Sequence, residues 1–206
     1  IDSFREEVDR KYNTIVTKFS KKLTHPKREE ETELGNLIAD AFAEVSQSDV
    51  VMVGSGSIRV KELGPIVTLK DLKACFPYDD SLNRFKIRGD QLKNIFSHVM
   101  RIENRDGEGE CYQVNSNVKA FYNENEKKLE SLKIRDSDVM DNFLYSICIQ
   151  GYHLQNCQAY LNISEKELLE AGQNKVVSTS AAEVLEEWLK NNQNVSRDIE
   201  GRLVYR

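Results

Sequence analysis

Apolar residues return along this chain at two different periods. In residues 2–12, Phe4, Val8 and Tyr12 stand one helical turn apart among charges, which predicts a surface helix. From Glu33, the residues Leu34, Leu37, Ile38, Ala41, Phe42 and Val45 share one helical face. Thr68-Leu-Lys-Asp71 has the form of a capping box, in which a hydroxyl and a carboxylate each satisfy the other's free backbone N–H, and predicts a helix through Ala74. Another helix opens at Gly89-Asp90 and runs to Met100, with Leu92, Ile95, Phe96 and Val99 inward. Ser164-Glu-Lys-Glu167 and Ser180-Ala-Ala-Glu183 cap two more, the second reaching Trp188 and Leu189.

Alternation and short apolar runs predict strands at Thr14–Phe19, Ile66–Val67, Phe85–Ile87, Tyr112–Val114, Val118–Tyr122, Leu129–Ile134, Phe143–Ile149 and Arg202–Tyr205. Lys18–Lys27, Phe76–Asp80 and Asp106–Glu110 read as loops, with Asp79 and Asp80 as turn residues. Strands and helices alternate without a regular βαβ rhythm, so the expected class is α+β.

The organising stretch is Asp49–Arg59. Val50, Val51, Met52 and Val53 form a buried strand, which breaks into Gly54-Ser55-Gly56-Ser57 and lands on Ile58 and Arg59. Glycine lets backbone approach a ligand, and small hydroxyls with free N–H groups suit an anion. An arginine closing such a loop can fork two donors onto a phosphate or carboxylate. The loop is neither a Walker loop nor a dinucleotide fingerprint, and read alone it is equally a turn out of a core strand.

Composition narrows the choice. At 206 residues, 39% hydrophobic and 31% charged, the chain suits one globular domain. No run approaches the roughly 18 apolar residues of a membrane span, and no signal-peptide pattern occurs. A net charge of −5 argues against broad nucleic-acid binding. The first residue is Ile1, which reads as the start of a fragment or processed product. Cys75, Cys111, Cys148 and Cys157 contain no CxxC and read as buried free thiols. Three histidines, His25, His98 and His153, lack the spacing of a metal motif, and His153 reads as exposed and inert.

Five stretches in order carry a resemblance. They are Arg28-x-x-Glu31-Thr-x-Leu-Gly-Asn36-Leu-Ile-x-Asp40-Ala, the Gly54–Arg59 loop, Phe76-Pro77-Tyr78, the strand leading to Tyr152, and Glu200-Gly-Arg-Leu203. Together they resemble the C-terminal substrate-binding domain of the 5′-nucleotidase, UDP-sugar hydrolase and 2′,3′-cyclic phosphodiesterase family, from about residue 14 onward. The resemblance implies an α+β domain with a mixed sheet and flanking helices over 14–206, preceded by an interdomain linker or lead-in helix over 1–13. It also implies two divalent metal ions and the catalytic residues on a separate N-terminal metallophosphatase domain. This chain would then hold no metal, no cofactor and no catalytic residue, and would not be catalytically competent alone.

By the same resemblance, Arg28 and Arg59 bind the phosphate end of a nucleotide, and the whole loop of Gly54, Ser55, Gly56 and Ser57 is expected to contact the ligand beside them. Tyr78 and Tyr152 stack on the base, and stacking tolerates any base. Glu31, Asn36 and Asp40 bond loop backbone around Arg28. Two positions depart from the family's pattern. Gly54, ahead of Ser55, stands where an asparagine usually contacts the base, and Gln158 stands where an aspartate usually holds the ribose. An amide at 158 can bond a hydroxyl but lacks a carboxylate's two strong acceptors. The implied partners are a nucleotide and the metallophosphatase domain of the same parent, a metal-dependent phosphoesterase of nucleotide catabolism. The alternatives are a nucleotide-sensing module without turnover and a phosphoesterase domain for another phosphorylated substrate. Free thiols point towards the cytoplasm, while an exported or cell-surface parent fits many family members.

Overall fold

The computed structural model describes residues 1–206. The helix α1 (Asp2–Tyr12) leads into strands β1 (Ile15–Lys18) and β2 (Leu23–Thr24), helix α2 (Glu33–Ser46) and strand β3 (Val50–Gly54). After β4 (Glu62–Leu63) and β5 (Ile66–Thr68) come α3 (Leu69–Cys75), β6 (Leu82–Arg88) and α4 (Gly89–Val99). Strands β7 (Tyr112–Val114), β8 (Val118–Asn123), β9 (Lys128–Ile134), β10 (Ser137–Asp138) and β11 (Leu144–Gln150) follow. Two five-residue helices, α5 (Gly151–Gln155) and α6 (Cys157–Leu161), precede α7 (Glu165–Leu168), β12 (Lys175–Ser178), α8 (Ala181–Asn191) and β13 (Leu203–Tyr205).

The central sheet has five strands in the order β12-β6-β11-β3-β7. Its β3 reads as a continuous apolar run because both of its faces are covered. Val51 and Val53 enter one core with Leu37 and Phe42 of α2, Leu72 of α3, and Leu185 and Trp188 of α8. Val50 and Met52 enter a second core with Phe96 of α4, Val118 of β8 and Leu132 of β9. The outer sheet on that side runs β10-β9-β8-β13. Helices therefore cover one face of the central sheet, and α4 with the outer sheet covers the other, an α+β architecture with mixed sheets.

One pairing sets up the rest. β3 and β11 lie side by side and parallel, Val50 opposite Ile147 and Met52 opposite Ile149, while β6 and β7 run antiparallel to them. Parallel neighbours end at the same edge, so the Gly54–Ser57 turn and helix α5 emerge next to each other.

The expected helices and longer strands are present. Added to them are β12, the two-residue strands β2, β4 and β10, and the short helices α5 and α6. β12 is a half-exposed edge strand, and helices of five residues are too short to display a period. The capping box on α3 forms as predicted, Thr68 and Asp71 each closing the other's backbone N–H.

Glu31, Asn36 and Asp40 act elsewhere than around Arg28. They gather on Arg202, whose side chain is 1% exposed. Asp40 receives Nη1 and Nη2 of Arg202 at 2.8 and 2.9 Å, and Glu31 receives the backbone N–H groups of Glu200 and Arg202 at 2.7 and 2.8 Å. Asn36 donates to Glu31 at 2.8 Å. The polar cluster pins the C-terminal strand to α2, because a guanidinium is buried only when paired. All four cysteines are buried and unpaired, and burial pushes the Cys75 thiol up to about 12 and the Cys148 thiol up to about 11.

Candidate functional site

At the shared edge of β3 and β11 lies a cleft of about 550 Å³. Arg28, Arg59, Gly56 and Ser57 line it together with Tyr78 and Tyr152, so six of the residues expected at a ligand converge from four separate stretches of chain. Asp79, Asp80, Glu110, Gln150, His153 and Gln155 complete the wall.

The arginines meet over the turn. Arg59 donates to the carbonyl of Gly56 at 3.3 Å, and Arg28 Nη2 stands 3.7 Å from the point a β-carbon on Gly56 would occupy. Arg28 also faces Glu110 at 3.7 Å and is half exposed, a loose pair that leaves its donors free to turn to an anion. Ser57 Oγ accepts from Gln150 Nε2 at 3.1 Å, while Gln150 Oε1 accepts the backbone N–H of Gly54 at 2.9 Å. Gly54 and Ser55 lie behind the wall. Ser55 is fully buried, its N–H donating to the Cys111 carbonyl and its hydroxyl accepting from the Gln113 amide.

The two tyrosines are 51% and 50% exposed, large apolar faces turned to solvent in an otherwise well-covered fold. Tyr78 sits on the loop after α3, and Tyr152 in the first turn of α5. Asp80 ties the two segments together by accepting the backbone N–H of Tyr152 at 2.8 Å and that of Ser81 at 2.8 Å. Asp80 is thus more than a turn residue. The Tyr152 hydroxyl meets that of Tyr160 at 2.9 Å.

His153 departs from expectation. It is buried, 3% exposed, at the back of the cleft. Its Nδ1 lies 2.9 Å from the hydroxyl of buried Tyr112, and its ring packs edge-on against Tyr112 and Tyr152 at centroid distances of 5.0 and 5.4 Å. Burial lowers its pKa to about 4, so the ring is neutral at physiological pH.

Gln158 is exposed on α6 and is not part of the wall; Gln155, one helical turn from Tyr152 on α5, is. The chain breaks at Asn156, φ −110° and ψ 22°, so counting along the sequence from Tyr152 leaves the cleft before reaching 158. Glu110, Gln150 and Gln155 escaped the sequence reading. None of the three carried a sequence signal: α5 is too short to show a period, Gln150 reaches the cleft through the pairing of β11 with β3, and Glu110 lies on the segment before β7.

The wall combines two guanidiniums, two open aromatic faces, and amides and carboxylates, of which Asp80 and Gln150 bond backbone N–H groups. It can hold an anion joined to a flat ring. No group of three or more His, Cys, Asp or Glu side chains is arranged to hold a metal ion, and no helix is long and apolar enough to cross a membrane.

Comparison with known proteins places the chain's family and fold. Residues 13–163 match the family described as 5′-nucleotidase, C-terminal domain. A snake venom 5′-nucleotidase from Naja atra is 30% identical over 118 residues, 50% of this chain and 22% of that protein. The 5′-nucleotidase precursor from Thermus thermophilus has the same fold, with a TM-score of 0.78 at 16% identity over 98% of this chain and 41% of that one. NAD nucleotidase from Haemophilus influenzae gives a TM-score of 0.76 at 15% identity over 100% of this chain and 40% of its own. The chain thus spans less than half the length of each of these proteins. With residues 13–163 matched, the chain belongs to the 5′-nucleotidase C-terminal domain family.

Proposed function

We propose that the cleft is the nucleotide-binding site of a specificity domain, one that delivers a nucleotide phosphate ester to a metal-dependent phosphoesterase domain of the same parent protein. The observation that carries this reading is the convergence of Arg28, Arg59, Tyr78 and Tyr152 on one cleft. A guanidinium pair recognises a phosphate by charge-assisted, forked hydrogen bonds, and open tyrosine faces recognise a base by stacking. In this reading the metals and the bond-breaking groups lie on that other domain, and residues 1–13 form the connecting segment. Helix α1 buries none of its residues, as suits a segment that packs against something besides this domain.

A second reading has support from one observation. Gln158, the position expected at the ribose, lies outside the wall, and this favours a phosphorylated aromatic ligand whose sugar is not gripped from α6. Calorimetry separates the two. Under the nucleotide reading, the 206-residue chain binds adenosine monophosphate, and both Arg59→Ala and Arg28→Ala weaken that binding while leaving adenosine binding nearly unchanged. Equal losses for nucleotide and nucleoside would make the arginines structural and sink the reading.

A further inference from the structure

Gly54 is a glycine without a backbone reason. Its φ of −56° and ψ of 116° are open to any residue. The reason is space. A β-carbon there would stand 2.3 Å from His153 Nε2 and 2.8 Å from His153 Cε1, so the imidazole fills the volume that a side chain at 54 would need.

The orientation of that ring follows from its partner. The Tyr112 hydroxyl is buried, and its one hydrogen-bond partner within the protein is His153 Nδ1. A buried phenol proton needs an acceptor, so Nδ1 is the acceptor and carries no proton of its own. The neutral ring then keeps its proton on Nε2. That atom makes no hydrogen bond within the protein and is not among the sealed, unpartnered polar atoms, which are Asn36 Oδ1, Arg84 Nε and Arg105 Nε. An unpartnered Nε2 that is not sealed is within reach of solvent, and the cleft is the cavity that His153 lines.

We propose that His153 is a specificity-determining residue of the cleft, presenting a fixed Nε2–H donor to an acceptor atom on the edge of the bound ring, and that Gly54 stays bare to make room for it. The proposal rests on the reading of the cleft as a nucleotide site. A carboxamide at position 54 would offer a donor and an acceptor together. The imidazole offers a donor alone, and its tautomer is held by Tyr112 rather than chosen by the ligand. The site therefore selects for a ring edge with an unprotonated nitrogen or a carbonyl.

Two measurements test this on the 206-residue chain. Nitrogen-15 NMR of the free protein at neutral pH should find His153 protonated on Nε2 and unprotonated on Nδ1; the opposite tautomer overturns the proposal. Calorimetry should then compare adenosine monophosphate with its 1-deaza, 3-deaza and 7-deaza analogues, each lacking one ring acceptor. The wild type should bind one analogue about tenfold more weakly than the parent nucleotide, the scale of one lost hydrogen bond. His153→Phe should bind the parent nucleotide as weakly as that and make no distinction among the analogues. Gly54→Ala, which displaces the ring while keeping the histidine, should behave the same way, and the double variant should lose nothing further. If the wild type binds every analogue like the parent, or His153→Phe keeps the discrimination, the role of His153 falls while the nucleotide reading stands. If the wild type binds none of the four ligands, both fall together.

Discussion

The backbone N–H of Tyr152 donates to Asp80 Oδ2 at 2.8 Å, so the loop that carries Tyr78 and the helix that carries Tyr152 are joined by one carboxylate. The segments that carry the two aromatic faces of the cleft are thus tied through backbone, not through the rings' hydroxyls. Asp80→Ala removes the acceptor for two backbone amides, with a cost of about 1.5–3 kcal/mol for a charge-assisted bond. Adenosine monophosphate should bind about tenfold more weakly to the variant, with a lowered Tm. Wild-type affinity in the variant, by calorimetry, would mean that the two segments hold their places without the carboxylate.

Exposure makes a sharp claim about the tyrosines themselves. Since Tyr78 and Tyr152 are 51% and 50% exposed, truncating either to alanine should leave Tm close to wild type. Nucleotide binding should fall by about 1–3 kcal/mol per ring, and Tyr78→Phe should retain it because the ring face is kept. A large drop in Tm with unchanged affinity would assign the rings to packing.

Glu110 competes for Arg28 at 3.7 Å. Glu110→Gln should tighten binding of a nucleoside monophosphate and leave nucleoside binding unchanged, by a few tenths to about 1 kcal/mol, the scale of an exposed ion pair. Weaker monophosphate binding in Glu110→Gln would show that the carboxylate holds Arg28 in its working position.

The buried His153 predicts a pH dependence of stability. Its pKa is depressed from 6.5 to about 4 by burial, so below pH 6.5 the unfolded chain takes up a proton that the folded chain refuses. Its contribution is complete above pH 6.5 and is lost progressively as the pH falls towards 4, about 3 kcal/mol in all. Urea denaturation of wild type and His153→Gln, at neutral pH and at mild acid, isolates the effect, because His25 and His98 are common to both. The wild type should lose more stability on acidification than the variant; parallel pH profiles would rule the effect out.

Breaking the Arg202 cluster should be the costliest change. Asp40→Ala leaves a guanidinium that is 1% exposed without its main counter-charge, for about 3–5 kcal/mol. Chemical denaturation reads this directly, and a loss below about 1 kcal/mol would mean that Glu200 and the backbone carbonyls suffice.

The sequence by itself determined every element that repeats long enough to show a period. The apolar faces of α2, α4 and α8, the uninterrupted run of β3 and the capping box on α3 depend on neighbours within a turn or two, and such local rules survive any tertiary arrangement. The family's motifs marked Arg28, Arg59, Tyr78 and Tyr152, because each lies in a recognisable stretch. Only the tertiary structure decided what those residues meet. The parallel pairing of β3 with β11 brought Gly54 beside Gln150 and His153, across a long span of chain that no local pattern links. It turned an apparently inert histidine into part of the wall, put Gln155 rather than Gln158 beside Tyr152, and moved Glu31, Asn36 and Asp40 from Arg28 to Arg202. Burial and hydrogen-bond satisfaction are properties of which segments pack together, and a side chain's chemistry in this cleft follows from that packing rather than from its neighbours in sequence.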